Sequence, residues 1–220
     1  MSLPTPYYDD GKGIVIYHAD CRDILPHLPK VDLVLTDPPY GIGEANGKNK
    51  TRGLLAQATD YGVSDWDNKP VDDDVMLLTL GAGDRLIVWG GNYYSHLLKG
   101  GPGWLVWDKQ INGDFADCEL AWTNLPQAIR LKQLMWNGML REGKEARYHP
   151  TAKPLKLMMW AISQADKHGE NGTILDPFMG SGTTLRAAKD LGRKCIGIEL
   201  EEKYCEIAAR RLSQDVFQWL

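Results

Sequence analysis

Two short segments of this 220-residue chain carry groups spaced for chemistry. One is DPFMGSGTT, residues 176–184, which follows the apolar run TIL. Gly180 and Gly182 would let backbone come close to a ligand, and Thr183 and Thr184 open a helix whose free N–H groups and dipole favour an anion. The Lys of a phosphate-binding P-loop is missing, and Leu185 stands where the dinucleotide fingerprint has its third Gly. Glu199 ends the next apolar run, about where an acidic side chain would accept ribose hydroxyls. A nucleoside-bearing cofactor accounts for both features together. Taken singly, Asp176 also reads as a strand-end helix cap and Glu199 as a surface acid.

The other segment is TDPPYG, residues 36–41. Its two prolines fix φ, remove two N–H groups and leave a stiff turn in which the Pro38 carbonyl is an exposed acceptor. Asp37 adds a carboxylate and Tyr40 a flat face. One turn thus offers two acceptors for an amino group on a ring and a platform for the ring itself. Alone, such a turn also reads as punctuation; paired with the glycine loop it reads as a substrate site.

Strands must hold these turns. Apolar or β-branched runs at 13–17, 31–36, 84–90, 172–176 and 194–200 predict buried strands of a largely parallel sheet. The runs at 103–109 and 118–124 are joined by a loop too short for a crossover helix and predict an antiparallel pair. Helices are expected over 154–168, from Thr183 onward, and over 201–212, with Pro154 in a first turn. The layout is α/β. Residues 41–70 and 125–150 take no assignment.

With 43% hydrophobic and 25% charged residues, the chain fits one domain. A net charge of −4 gives no whole-molecule attraction for a polyanion, so any nucleic-acid contact must be local. Lys48, Lys50 and Arg52 form one basic cluster; Arg130, Lys132, Arg141 and Lys144 belong to a second that runs on to Arg147 and Lys153. Solvated loop charge explains either cluster equally well. Cys21, Cys118, Cys195 and Cys205 lack metal-binding or disulfide spacing and are expected as buried thiols. No basic leader opens the chain, and no apolar run reaches the roughly 18 to 20 residues of a membrane span, so the expected location is cytoplasmic. Trp89, Trp104, Trp107 and Trp122 are expected to pack the core.

TDPPYG, HPTAKP at 149–154 and DPFMGSGTT, in that order, resemble the motifs of S-adenosylmethionine-dependent DNA amino-methyltransferases, the adenine-N6 and cytosine-N4 enzymes of the permuted beta group. The resemblance covers most of the chain and implies a Rossmann-like fold with a catalytic half over 13–124, a short target-recognition segment over 125–148 and a cofactor half over 149–212. It further implies that Asp176, Phe178, Gly180 and Gly182, with Ser181 and Thr183, wrap the methionine part of the cofactor, and that Thr151 and Lys153 hold its carboxylate. Glu199 would take the ribose, and Asp20 with Cys21 would border the adenine; Asp20 reads equally as an ordinary turn residue. His149 is expected to pack or cap.

Asp37, Pro38, Pro39 and Tyr40 would then form the catalytic turn. An exocyclic amine is a poor nucleophile because its lone pair is delocalised; hydrogen bonds to Asp37 and the Pro38 carbonyl would aim it for direct transfer. The base would be flipped out of duplex DNA onto Tyr40. Asp at the head of the motif favours adenine over cytosine. A short 125–148 segment implies a short or relaxed recognition site, the loop 41–70 with Trp66 is a candidate lid, and a homodimer is an option because relatives of this group often pair. RNA-adenine methylation and a non-catalytic partner role remain as alternatives.

Overall fold

The computed structural model describes residues 3–41, 69–110, 116–137, 140–141, 152–167 and 172–214. Their sheet is built on parallel neighbours: β2 (Ile14–His18), β11 (Lys194–Glu199), β10 (Thr173–Asp176), β3 (Val31–Thr36) and β4 (Gly83–Trp89). Beyond β4 lie β6 (Cys118–Thr123) and β5 (Trp104–Asp108), an antiparallel pair as their short connection requires. The sheet edges are β1 (Tyr8–Asp9) and β7 (Arg130–Gln133), while β8 (Trp136–Asn137) and β9 (Leu140–Arg141) pair with each other.

Strand alternation divides the apolar side chains between two cores. Leu33, Leu35, Ile87 and Trp89 face α3 (Leu155–Asp166), α4 (Thr183–Asp190) and α5 (Glu202–Leu212). Val34, Leu86 and Val88 face α1 (Cys21–Ile24) and α2 (Asp73–Gly81). In α3, Leu157, Met158, Ala161, Ile162 and Ala165 recur at helical spacing and are buried, each large side chain contributing about 1.5–3 kcal/mol. Pro154 stands at the N-cap, one residue before its expected place in the first turn. Trp89, Trp107 and Trp122 are buried as expected, and so are Cys21, Cys195 and Cys205. Cys118 is exposed, against expectation, because it opens β6 at the sheet's rim.

This topology fixes the site. From β3 the chain crosses through α2 to β4 on one side; from β10 it crosses through α4 to β11 on the other. β3 and β10 are adjacent and parallel, so their carboxyl ends open together at the point where the winding reverses.

Candidate active site

The two predicted turns emerge side by side from β3 and β10. Thr36 Oγ1 donates to Asp176 Oδ1 at 2.7 Å and links the strand ends directly. A cavity of about 370 Å³ opens there, lined by Asp37, Pro39 and Lys153, by Asp176, Phe178, Gly180, Ser181 and Thr183, and by Asp20, Cys21 and Glu199. Pro38, Tyr40 and Gly182 are not among its lining residues. Six carboxylates line the cavity (Asp20, Asp37, Asp72, Asp176, Glu199, Glu201) against three cationic side chains (Arg22, Lys69, Lys153), which favours a positively charged ligand.

In the turn after β3, one Asp37 oxygen accepts from the Tyr40 hydroxyl and the other from Lys153 Nζ at 2.5 Å. The Pro39 carbonyl accepts from the Tyr94 hydroxyl and, at 3.3 Å, from the Val71 N–H. Pro38 is buried rather than exposed, and no hydrogen bond to its carbonyl is seen among the described residues. Tyr40 stacks on Tyr93 with ring centroids 4.8 Å apart and planes within 12°. Gly90, at φ +66°, makes room for the Tyr40 ring: a Cβ there would lie 2.0 Å from Tyr40 Cε1.

Lys153 lines the cavity and is also held by two carboxylates. Its buried ammonium sits between Asp37 and Glu119, 3.1 Å from the latter, and the other Glu119 oxygen binds Lys109 at 2.5 Å. Burial works to lower the Lys153 pKa, but the two carboxylates outweigh it and raise it, so the ammonium stays charged. Burial pushes the Asp37 carboxyl up, with Lys153 pulling against it. Burial also acts to raise Glu119, yet Lys153 and Lys109 together hold it below the usual range.

The glycine-rich loop after β10 is internally bonded. Asp176 accepts from Thr36, from Thr184 Oγ1 at 2.5 Å and from the Phe178 N–H at 3.2 Å, and burial raises its carboxyl to about 6. Glu199 accepts from the Gly180 N–H at 2.9 Å and the Glu201 N–H at 2.8 Å, and burial raises it to about 7. Gly182, at φ +77°, lies so close to α5 that a Cβ would meet Ala208 Cβ at 2.7 Å. Arg211 from α5 donates to the Ser181 carbonyl at 2.5 Å and braces the loop. Asp20 caps α1, accepting from the Arg22 N–H at 2.9 Å. Cys21 is pushed up to about 12 by burial, which keeps its thiol protonated and unreactive.

Among the basic residues, Arg130 is exposed and Lys132 half-buried on edge strand β7, and Arg141 lies in β9. Lys48, Lys50, Arg52, Trp66, Lys144, Arg147, His149 and Thr151 lie outside the described residues, as does most of the candidate lid. Sequence reasoning passed over Glu119, Tyr93, Tyr94 and Arg22. Of these only Glu119 carried a signal, an acid inside an apolar strand run.

The chain matches the DNA methylase family of N6 and N4 methyltransferases over residues 102–210. It is 46% identical to the Type II methyltransferase M2.DpnII of Streptococcus pneumoniae, over 97% of this chain and 94% of that protein. Among solved structures, the M1.HpyAVI complex with S-adenosylmethionine is similar at TM-score 0.58 and 25% identity, covering 90% of this chain and 98% of the other. PvuII DNA methyltransferase, a cytosine-N4-specific enzyme, shares the fold at TM-score 0.59 and 16% identity, over 92% and 87% of the two chains. This chain belongs to the N6/N4 family of DNA methyltransferases. It is an S-adenosylmethionine-dependent amino-methyltransferase with a Rossmann-like α/β fold and the permuted order of motifs read from its sequence.

Proposed function

We propose that the protein methylates the exocyclic N6 of adenine in duplex DNA, with the target base turned out of the helix into the cavity beside Asp37. One observation carries this reading: Asp37, just after β3, lines the same cavity as residues 176–181, just after the adjacent parallel strand β10. Asp at the head of the turn favours adenine over cytosine.

The residues fit the cofactor, because the excess of carboxylates in the cavity suits a sulfonium. S-adenosylmethionine supplies an electrophilic methyl carbon on that positively charged sulfur. Glu199 would accept from the ribose, Asp20 and Cys21 would border the adenine, and Asp176, Phe178, Gly180, Ser181, Gly182 and Thr183 would enclose the methionine part. Thr151 remains assigned to the methionine carboxylate. Lys153, pinned between Asp37 and Glu119, is assigned instead to the catalytic carboxylate.

Asp37 and the Pro38 carbonyl accept the two N–H bonds of the amine, which aims its lone pair and needs no covalent enzyme intermediate. The proton leaves after transfer, so Asp37 need not be a strong base. Extruding the base costs a few kcal/mol of stacking and pairing. Arg130, Lys132, Arg141 and Lys144, together with Lys48, Lys50 and Arg52, would contact phosphates, giving a short or relaxed recognition site. Action on cellular DNA would put the protein in the cytoplasm, and a homodimer would double its basic surface.

The test combines labelled cofactor with duplex DNA, single-stranded RNA or no acid, and single-molecule sequencing of DNA from expressing cells. Modified adenine in DNA is expected. A modified cytosine overturns the base assignment, and label in RNA alone overturns the substrate. Cofactor binding without transfer to either acid would leave a non-catalytic partner.

A further inference from the structure

The cations around Asp37 are arranged for exchange. Each of its oxygens already accepts one hydrogen bond, from Tyr40 or from Lys153, and of these two donors only Lys153 lines the cavity, so it is the one an entering amine meets. Lys153 alone of the two has a second carboxylate at hand. Glu119 Oε2 lies 3.1 Å from Nζ, within ion-pair range, yet this buried oxygen accepts no hydrogen bond. Lys109, at 2.5 Å from the other Glu119 oxygen, keeps the carboxylate from swinging away. Without such a carboxylate, an ammonium driven off Asp37 would become a buried unpaired charge, a costly state.

We infer that Glu119 is a positioning residue for methyl transfer, the partner to which the Lys153 ammonium withdraws when the target amino group takes its place on Asp37. This rests on the reading of Asp37 as the group that binds the amine. The four charges Asp37, Glu119, Lys153 and Lys109 cancel in pairs, so the shift moves no net charge into or out of the site. Other titratable groups facing this cluster are Tyr40 on the same turn, Tyr94 after β4 and Asp176 at the end of β10.

Two variants test it through the pH dependence of kcat/KM for DNA. In Glu119→Gln, Lys153 has only Asp37 to pair with and a like charge near Asp37 is gone. Its kcat/KM is expected to fall about tenfold, the acid limb to move down by about half a pH unit, and cofactor affinity to hold within about twofold. In Lys109→Met, Glu119 is free to draw Lys153 away from Asp37, and the acid limb is expected to move up. Opposite displacements support the exchange. Acid limbs at the wild-type position in both variants, with only the melting temperature lowered, overturn it and leave Glu119 a structural residue. If Glu119→Gln does not fold, Lys109→Met decides alone: an upward limb supports the exchange and an unmoved one overturns it. Wild-type protein that transfers no methyl group overturns the underlying reading instead, whatever the variants do.

Discussion

The cavity has two walls that give their buried acids different partners. On the wall built by β10 and β11, Asp176 and Glu199 accept from neutral donors, the hydroxyls of Thr36 and Thr184 and backbone N–H groups, and burial lifts their carboxyls to about 6 and about 7. On the wall after β3, Asp37 and Glu119 face Lys153 and Lys109; those ammoniums hold Glu119 below its usual range, while burial still raises Asp37. The first wall is a fixed mould whose protonation lies within reach of physiological pH. The second is a set of exchangeable charges, suited to accepting an amino group in place of one of them.

If the walls divide labour in this way, substitutions on each should fail differently. Asp37→Ala should abolish transfer, by about 10³-fold or more, while equilibrium dialysis shows cofactor binding changed by less than a few-fold. Substantial residual transfer would remove Asp37 from the chemistry. Asp176→Ala strands two hydroxyls and an N–H at the joint between β3 and β10. It should cost about 2–3 kcal/mol in urea unfolding and weaken cofactor binding as well. Unfolding unchanged by that substitution would show that the joint carries little. Lys153→Met removes the ammonium that opposes burial at Asp37, so the acid limb of kcat should move to higher pH. An unmoved limb would mean that the catalytic wall does not depend on its cations.

The walls were unequally legible in the sequence. Strand runs such as VDLVLT became β3 over Val31–Thr36 without shift, because β-branched and apolar residues buried on both faces leave a local signature. The Asp-Pro-Pro turn and the glycine loop were readable for the same reason, since their backbone demands are local. α2 was missed: its exposed Leu77 and Leu78 break any clean apolar stripe. β7 was missed because RLKQ is a short, polar edge strand that only its pairing with β5 defines. The position of Lys153 was out of reach in principle. Its partners Asp37 and Glu119 come from other strands, and the motif that resemblance supplied pointed it toward the cofactor carboxylate instead.

The mould wall also makes a proton-linked prediction. Because the Glu199 carboxyl is raised from its ordinary 4.5 to about 7, the folded protein keeps a proton there that the unfolded chain has lost between those values. The stability this group contributes is therefore full below 4.5 and is lost as pH rises through 7. Ribose hydroxyls donating to Glu199 would favour the ionised form, so cofactor binding between pH 6 and 7 should release up to one proton. Affinity should then decline below pH 7 by at most about tenfold per pH unit. Calorimetry in two buffers of different protonation enthalpy reads the proton directly, and an enthalpy identical in both would exclude Glu199 as the ribose acceptor.

The smallest effects belong to neither wall. Arg130 and Lys132 alternate with Leu131 and Gln133 along edge strand β7, so their side chains share a face, and Arg130 is exposed. If they meet phosphates, replacing each with Ala should weaken binding to all DNA sequences alike and reduce the slope of log affinity against log salt by about 0.9 per charge. A change in the preferred sequence, with the salt slope unaltered, would mean that β7 reads base edges. The strand's exposed Leu131 would then need a partner in the groove, because phosphate contacts alone carry no sequence information.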